Sequence, residues 1–284
     1  MICGGGLAAL AWRDGANRKA GGVTEFHDYA GYTSVEYLLH TLADSPIKQR
    51  SYALMQVAPG HNVLDVGCGP GIDTVALAER VRPTGRVAGV DYDPAMIAAA
   101  DAHAQRAGVA GYVAHHQGDV SALPFPSATF DACRCERVFQ HLADPRPALA
   151  EIVRVIRPGG RIVLIDADWG TFSIDTPAVE LERRVRSFVL DQVLRNGYAG
   201  RQLYRLARQH GLSDITVEAY TRPITSYPMA RVSLQLDVVE RAALAAGAIT
   251  PDELECWSAW MQQAAREETF YCSVSQMVVA GRRP

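Results

Sequence analysis

Short, almost wholly apolar runs alternate with longer segments whose apolar positions recur every three or four residues, and the alternation repeats between residues 62 and 166. The runs 62–66, 86–91, 112–117, 129–135 and 161–166 carry few polar positions, the mark of strands buried on both faces. Between them, 73–81, 95–107 and 144–156 read as helices, two of them opened by a capping acid followed by proline (Asp93-Pro94, Asp144-Pro145). Leu123-Pro124-Phe125-Pro126 cannot be helical, and Pro158-Gly159-Gly160 is a turn. Upstream, two helices are expected between 34 and 58, the second started by Ser45-Pro46. Downstream the pattern loosens: helices over 177–196, 200–210, 230–246 and 251–268, with strands at 215–221 and 273–280. The last helix opens on Thr250-Pro251-Asp252-Glu253, a capping box with proline at its first helical position.

This order predicts an α/β fold: a Rossmann-like, doubly wound, mostly parallel seven-stranded sheet with helical lid insertions. Residues 1–22 are expected to be a flexible tail and 23–284 a single domain. Its core would be about 45–170 plus 200–222 and 270–283, with lids at about 24–44, 172–198 and 228–268.

Chemistry concentrates at Asn62 to Asp73, where the first strand breaks into glycines at 67, 69 and 71 and a helix follows. Gly67 and Gly69 allow a sharp turn, and Gly71 is expected to keep a side chain from blocking a ligand. The turn places free helix N–H groups beside a bound small molecule. A dinucleotide loop wants a further glycine where Ile72 stands, and Asp65 would repel a pyrophosphate but favour a ligand bearing an ammonium and a sulfonium. Asp91 closes the second strand twenty residues past Gly71, where a carboxylate can accept from both ribose hydroxyls. Asp93 is read as the helix cap. Gly118-Asp119-Val120 closes the third strand, where an acid and the next N–H can read an adenine edge.

Together these residues resemble a class I S-adenosylmethionine-dependent methyltransferase, of the small-molecule branch similar to the quinone-biosynthesis C-methyltransferases. The matching stretches are 63–71, 90–93, 118–120, Phe130-Asp131 and Arg157-Pro158-Gly159-Gly160-Arg161, covering about residues 45–170. The resemblance implies S-adenosyl-L-methionine as cofactor and S-adenosyl-L-homocysteine as product. It implies that Asp65, Gly67, Cys68, Gly69 and Gly71 line the methionine end. Asp91 would hold the ribose, Tyr92 and Met96 border the adenine, and Asp119 and Val120 read its edge. Cys135, Glu136 and Arg137 would border the methionine ammonium, although the family often has a small polar residue where Glu136-Arg137 stands. Arg50 is read either as a partner for the cofactor carboxylate or as a surface residue.

Methyl transfer is an in-line displacement, so alignment and exclusion of water matter most, and a base is required only for an acceptor that must lose a proton. The candidates facing the strand ends are His141, Asp166, Asp168, His27 and Tyr29, with His141, Asp168 and Tyr29 taken forward as catalytic. Trp169, Phe172, Phe188, Tyr198, Tyr227 and Trp257 in the lids suit an aromatic or isoprenoid-like acceptor, although such spacing more often reflects helix packing. The expected reaction is C-, O- or N-methylation of a small metabolite in secondary or cofactor metabolism. The alternative is a protein that binds the same cofactor but performs a non-methylating reaction such as a cyclisation.

Composition narrows the partners. A net charge of −3 with no dense Lys/Arg block argues against nucleic acid, the arginines of 201–208 reading as the wet side of a helix. No run of eighteen apolar residues suggests a membrane span. The six cysteines show no C-x-x-C spacing, so neither a metal site nor a disulfide framework is expected; Cys133 and Cys135 read as small core residues. The start lacks the basic region of a secretory signal, so a cytoplasmic protein is expected, with room for a homo-oligomer.

Overall fold

The computed structural model describes residues 46–284. The expected tail, the 24–44 lid with Phe26, His27, Tyr29 and Tyr32, and the Ser45 cap lie outside the described residues.

Seven strands form one sheet: β1 (Asn62–Val66), β2 (Arg86–Asp91), β3 (Val113–Gln117), β4 (Phe130–Glu136), β5 (Ile156–Ile174), β6 (Ser213–Ile224) and β7 (Cys272–Arg282). Their order is β3-β2-β1-β4-β5-β7-β6. β1 to β5 pair in parallel, and β7 runs antiparallel to both its neighbours. The helices are α1 (Pro46–Met55), α2 (Ile72–Val81), α3 (Pro94–Arg106), α4 (Arg146–Val155), α5 (Val179–Phe188), α6 (Ala199–Gln209), α7 (Tyr227–Ser233), α8 (Leu236–Ala245) and α9 (Pro251–Arg266).

The apolar runs of β1, β2, β4 and β5 are largely buried on both faces, whereas β3, at the sheet edge, is only half-buried. Leu64 and Val66 join Cys133, Ile152, Leu164 and Leu203 on one side of the sheet. Val63 and Val87 pack with Leu77, Ala132, Val163 and Met55 on the other. Asp93 caps α3 through Ala95 N–H (2.8 Å), Asp144 accepts the N–H of Arg146 (3.0 Å) at the start of α4, and the Thr250–Glu253 capping box opens α9.

A separate core holds the lid. Phe172, Ile174, Leu181, Tyr227, Trp257, Met261 and Phe270 bury one another there, above an extension of β5 that pairs Ser173 and Ile174 with Ser273 and Cys272. Three expectations change in this region. β5 does not stop at Asp166, because the alternating Thr171-Phe172-Ser173-Ile174 continues it as an antiparallel strand against β7. The helix expected over 177–196 is α5 followed by a single π turn at Val189–Val193. The helix expected over 230–246 is two, α7 and α8, broken at Gln235 with φ 50°. Leu234 and Leu236 are both buried in the lid core. Residues two apart point to nearly opposite sides of a continuous helix, so the break lets both face inward.

Candidate cofactor and acceptor site

The loop between β1 and α2 hangs from the end of β2: the N–H groups of Gly67 and Cys68 both donate to the Val90 carbonyl, at 2.8 and 3.0 Å. Gly67, Gly69 and Gly71 all take positive φ (71°, 51° and 79°), which only glycine adopts without strain. A Cβ on Gly67 would also lie 2.2 Å from Val138 Cγ2, so the turn after β4 closes on the loop at that residue. Gly71 differs from expectation. A Cβ there would meet Ala100 at 2.9 Å, so this glycine makes room for α3 rather than for a ligand.

Asp91 is the hinge of the site. Its Oδ2 accepts the Gly69 N–H (2.9 Å) and its Oδ1 accepts the Asp93 N–H (3.0 Å), tying the loop to the start of α3. Burial raises its pKa, with the backbone donors opposing the rise. A carboxylate offers about four acceptor directions, so capacity remains for a hydroxyl donor. Beside it Tyr92 presents a ring that is 80% exposed, and Met96 is buried at the start of α3. Asp119 accepts the Ser121 N–H (2.8 Å) and starts the 3₁₀ turn Val120–Ala122. These residues line the carboxyl ends of β1, β2 and β3, where open α/β sheets bind ligands. A shallow cleft lined by Asn62, Arg86, Tyr112 and Thr129 opens at the opposite, amino ends of the strands.

Cys68 and Cys135 contribute backbone only. Both thiols are buried, and burial pushes both pKa values up, so they stay protonated.

Beneath the loop lies a buried ionic cluster that sequence reasoning missed. Lys48 Nζ reaches Asp73 Oδ2 (2.5 Å) and Glu136 Oε2 (3.1 Å), and Tyr52 donates its hydroxyl to Asp73 Oδ1 (2.5 Å). Arg134 pairs with Glu136, contacts Asp73 at 3.1 Å and Asp65 at 3.6 Å, and donates Nε–H to Ser51 Oγ (3.0 Å). Asp65 and Arg134 sit directly opposite one another in the β1–β4 pairing. Arg134 had a visible signal: an arginine in the apolar run Ala132-Cys133-Arg134-Cys135 must find partners on the buried face. Lys48 and Tyr52, on a helix before the first strand, carried none.

The cluster revises the charge reasoning about Asp65. Burial, with Asp73 nearby, pushes Asp65 up to about 8, against the pull of Arg134 and Lys48. Burial would raise Glu136 too, but Arg134 and Lys48 hold it well below the usual carboxylate range. Two cations (Lys48, Arg134) are set among three acids (Asp65, Asp73, Glu136), so Asp65 is one member of a mixed-charge cluster rather than a lone negative charge. Rejecting a pyrophosphate on the charge of Asp65 alone is therefore unsound. Glu136, expected beside the methionine ammonium, is occupied by Arg134 and Lys48.

Arg50 is corrected outright. Its guanidinium forms a two-pronged pair with Glu218 of β6, at 2.5 Å in the shortest contact, and takes no part in the loop.

At the ends of β4 and β5 a second group forms. Trp169 Nε1–H donates to Gln140 Oε1 (2.9 Å), and the Gln140 amide nitrogen lies 3.1 Å from His141 Nε2. An indole N–H only donates, so Gln140 Oε1 must accept and its NH₂ must donate to His141. The network thus assigns the His141 proton to Nδ1. Crowding by protein, with the positive charges of Arg137 and Arg195, holds His141 down at about 4, although the residue is exposed. Asp166, buried, accepts the N–H of Gln140 (3.2 Å) and of Ala167 (2.9 Å). Asp168, the expected acceptor-facing acid, is instead bound by Arg201 Nε–H (2.7 Å) and Gly170 N–H (3.1 Å), fastening α6 to β5. Of the six lid aromatics, Phe172, Tyr227 and Trp257 are buried in the lid core, which removes the support they lent to an aromatic acceptor.

Asp166 yields a pH prediction. Burial pushes it up to about 7 despite the N–H groups it accepts. Because the folded value exceeds the unfolded one, unfolding releases a proton between about pH 4 and 7, and the group's stability contribution is lost as pH rises through that window. The non-titrating Asp166→Asn variant should gain on the native protein by up to roughly 1.4 kcal/mol per pH unit there. Urea melts of both proteins at pH 5 and pH 8 check this; a constant difference between them contradicts it.

An S-adenosyl nucleoside fits these residues on one observation in particular. Both carboxylate oxygens of Asp65 are buried beneath the loop and accept no hydrogen bond among the described residues. A cationic donor at the methionine end would satisfy them. No group of three or more His, Cys, Asp or Glu among the described residues is placed to hold a metal ion, and no described helix is long and apolar enough to cross a membrane.

Residues 64–164 match the family model described as a methyltransferase domain. A transposon Tn4556 protein of Streptomyces fradiae, uncharacterised, is 42% identical over 172 residues, covering 61% of this chain and 48% of its own. A ubiquinone/menaquinone biosynthesis C-methyltransferase of Saccharophagus degradans is 35% identical over 119 residues, covering 42% of this chain and 48% of its own. The chain therefore spans about half the length of these curated relatives. Among solved structures, a candidate methyltransferase from Bacillus halodurans superposes with a TM-score of 0.59 at 16% identity, covering 84% of this chain and all of its own. That likeness shares the fold.

Proposed function

We propose that this chain, whose residues 64–164 match the methyltransferase-domain family model, transfers a methyl group from S-adenosylmethionine to a small-molecule acceptor. When bound, that cofactor supplies an activated methyl on a sulfonium whose leaving group is a neutral thioether. The reading rests chiefly on Asp91, which holds the glycine loop to the end of β2 while keeping acceptor capacity free. In this reading Asp91 takes the ribose hydroxyls, Asp119 and Val120 take the adenine edge, and Tyr92 and Met96 flank the ring. The N–H groups of the loop and the orphaned Asp65 meet the methionine end.

On the acceptor side His141 is the working group. It is neutral, its Nε2 lone pair is engaged by Gln140, and its Nδ1–H is left to donate. Such a histidine orients an acceptor oxygen or enol by hydrogen bonding, and its low pKa makes it a weak base. That favours a nucleophile needing alignment more than deprotonation. Trp169 and Gln140 act through His141 by fixing its tautomer. Tyr29 stays a candidate outside the described residues.

The experiment separates this reading from the cyclisation alternative. The protein is titrated with S-adenosylmethionine, then incubated with methyl-labelled cofactor and fractions of a small-molecule extract. Binding together with acceptor-dependent release of S-adenosylhomocysteine is expected. Binding without release in any fraction favours the non-methylating reading, and no binding at millimolar cofactor overturns both.

A further inference from the structure

We infer that His115, on β3 with its side chain buried and unassigned to any role above, is a positioning residue for the cofactor loop, acting through Thr74. The inference rests on the cofactor reading of that loop, since what it positions is the Gly67–Gly71 turn.

Its geometry is a four-member chain of hydrogen bonds crossing three elements. Asp101 Oδ1 on α3 lies 2.8 Å from His115 Nδ1, and the carboxylate can only accept, so Nδ1 carries a proton. His115 Nε2 lies 2.9 Å from Thr74 Oγ1, in the first turn of α2; the one hydroxyl proton goes to the Gly71 carbonyl, so Nε2–H donates to Thr74 Oγ1 and both ring nitrogens carry protons, with the Asp101 carboxylate as counter-ion. The Thr74 hydroxyl in turn lies 3.0 Å from the Gly71 carbonyl, donating to it. Gly71 sits at the start of α2 with φ 79°, its N–H on the Cys68 carbonyl (3.1 Å) and its carbonyl also accepting Val75 N–H (3.2 Å). The chain therefore ends on the residue where the loop becomes helix.

The sheet is built to let the imidazole through. His115 pairs directly opposite Gly89 of β2, and its side chain, 1% exposed, leans over that strand to reach α2. A Cβ on Gly89 would lie 2.7 Å from His115 Cδ2, 2.9 Å from Cys68 Sγ and 3.0 Å from Thr74 Cγ2. A merely space-filling residue at 115 would not need both ring nitrogens partnered. Here each is satisfied, one by the exposed acid of α3 and one by the hydroxyl that holds the loop. The consequence is preorganisation: with Gly71 held from below, the loop keeps its turn without a ligand, and binding does not have to order it.

The test compares Thr74→Val, which keeps shape but loses the hydroxyl, with Thr74→Ser, which keeps the hydroxyl. His115→Leu is compared with His115→Gln, which returns an amide nitrogen near Nε2. Each is titrated with S-adenosylhomocysteine by calorimetry and melted, and amide exchange of residues 67–72 is followed without ligand. Thr74→Val and His115→Leu should weaken binding at least tenfold and speed exchange across the loop. Thr74→Ser and His115→Gln should recover to within about threefold of the native protein. Thr74→Val and Thr74→Ser bound equally well, or equally badly, with equal loop exchange, would overturn the inference. If His115→Leu fails to fold, the threonine pair decides. If the native protein does not bind S-adenosylhomocysteine, the cofactor reading falls, while the exchange comparison still decides whether the chain of bonds braces the loop.

Discussion

Arg134→Ala is expected to cost about 3–5 kcal/mol of folding stability, the range for removing one partner of a buried ionic group. Small domains are stable by only about 5–15 kcal/mol, so the loss is a large share of the total. The reason is arithmetic of charge in a dry place. Asp65, Asp73 and Glu136 converge on this one guanidinium, and its removal leaves three acids around Lys48 alone. Arg134 itself is almost fully buried, so water does not replace it. The defect should depend on pH with a definite sign. In the native protein Glu136 is held low, so its contribution is present above the ordinary carboxylate range and is lost as pH falls. Without Arg134 the acids are held high instead, and the variant is penalised more as pH rises. The gap between the two proteins should therefore shrink as pH drops from 7 toward 5. Guanidinium unfolding at both pH values measures it, and a gap under about 1 kcal/mol at pH 7 would show that the cluster stabilises little beyond what exposed ion pairs do.

The sheet was legible because its central strands are buried on both faces and leave almost unbroken apolar runs, which caps and Pro-Gly turns then delimit. The β6 and β7 strands and their lid were legible only in outline. There a polar-apolar alternation, Thr171 to Ile174, extends β5 past the point where an acid looked like a strand end. Gln235 breaks a helix for the sake of two leucines that only the packed lid core reveals. At the site, the place of Asp91 at the end of β2, beside the glycine loop, could be read because position along the chain decides it. The role of Asp65 could not, because it depends on Arg134 across the strand and on Lys48 from a helix before it. Likewise Asp168 and Asp166 alternate on one strand and look equivalent. Arg201, arriving from α6, takes one of them, and the backbone N–H of Gln140 holds the other. Gly71 shows the same limit: its glycine signalled close approach correctly, but what approaches is α3.

Asp91→Ala should weaken S-adenosyl cofactor binding at least tenfold, or about 1.4 kcal/mol. Two losses add. The ribose hydroxyls lose their acceptor, and the Gly69 and Asp93 N–H groups lose the carboxylate that ties the loop to α3. Asp91→Asn keeps one oxygen for a backbone donor but replaces the other with an NH₂, so it should fall between the native protein and the alanine variant. Burial of Asp91 is unfavourable to its charged form, so the alanine variant need not be less stable than the native protein. Loss of affinity with an unchanged melting temperature is the expected signature. The most direct measurement is calorimetric titration of the native protein and Asp91→Ala with S-adenosylhomocysteine at neutral pH. One site per chain in the native protein and at least tenfold weaker binding in the variant is the result predicted here. Equal affinity in the two proteins would contradict the placement of the nucleoside at the end of β2.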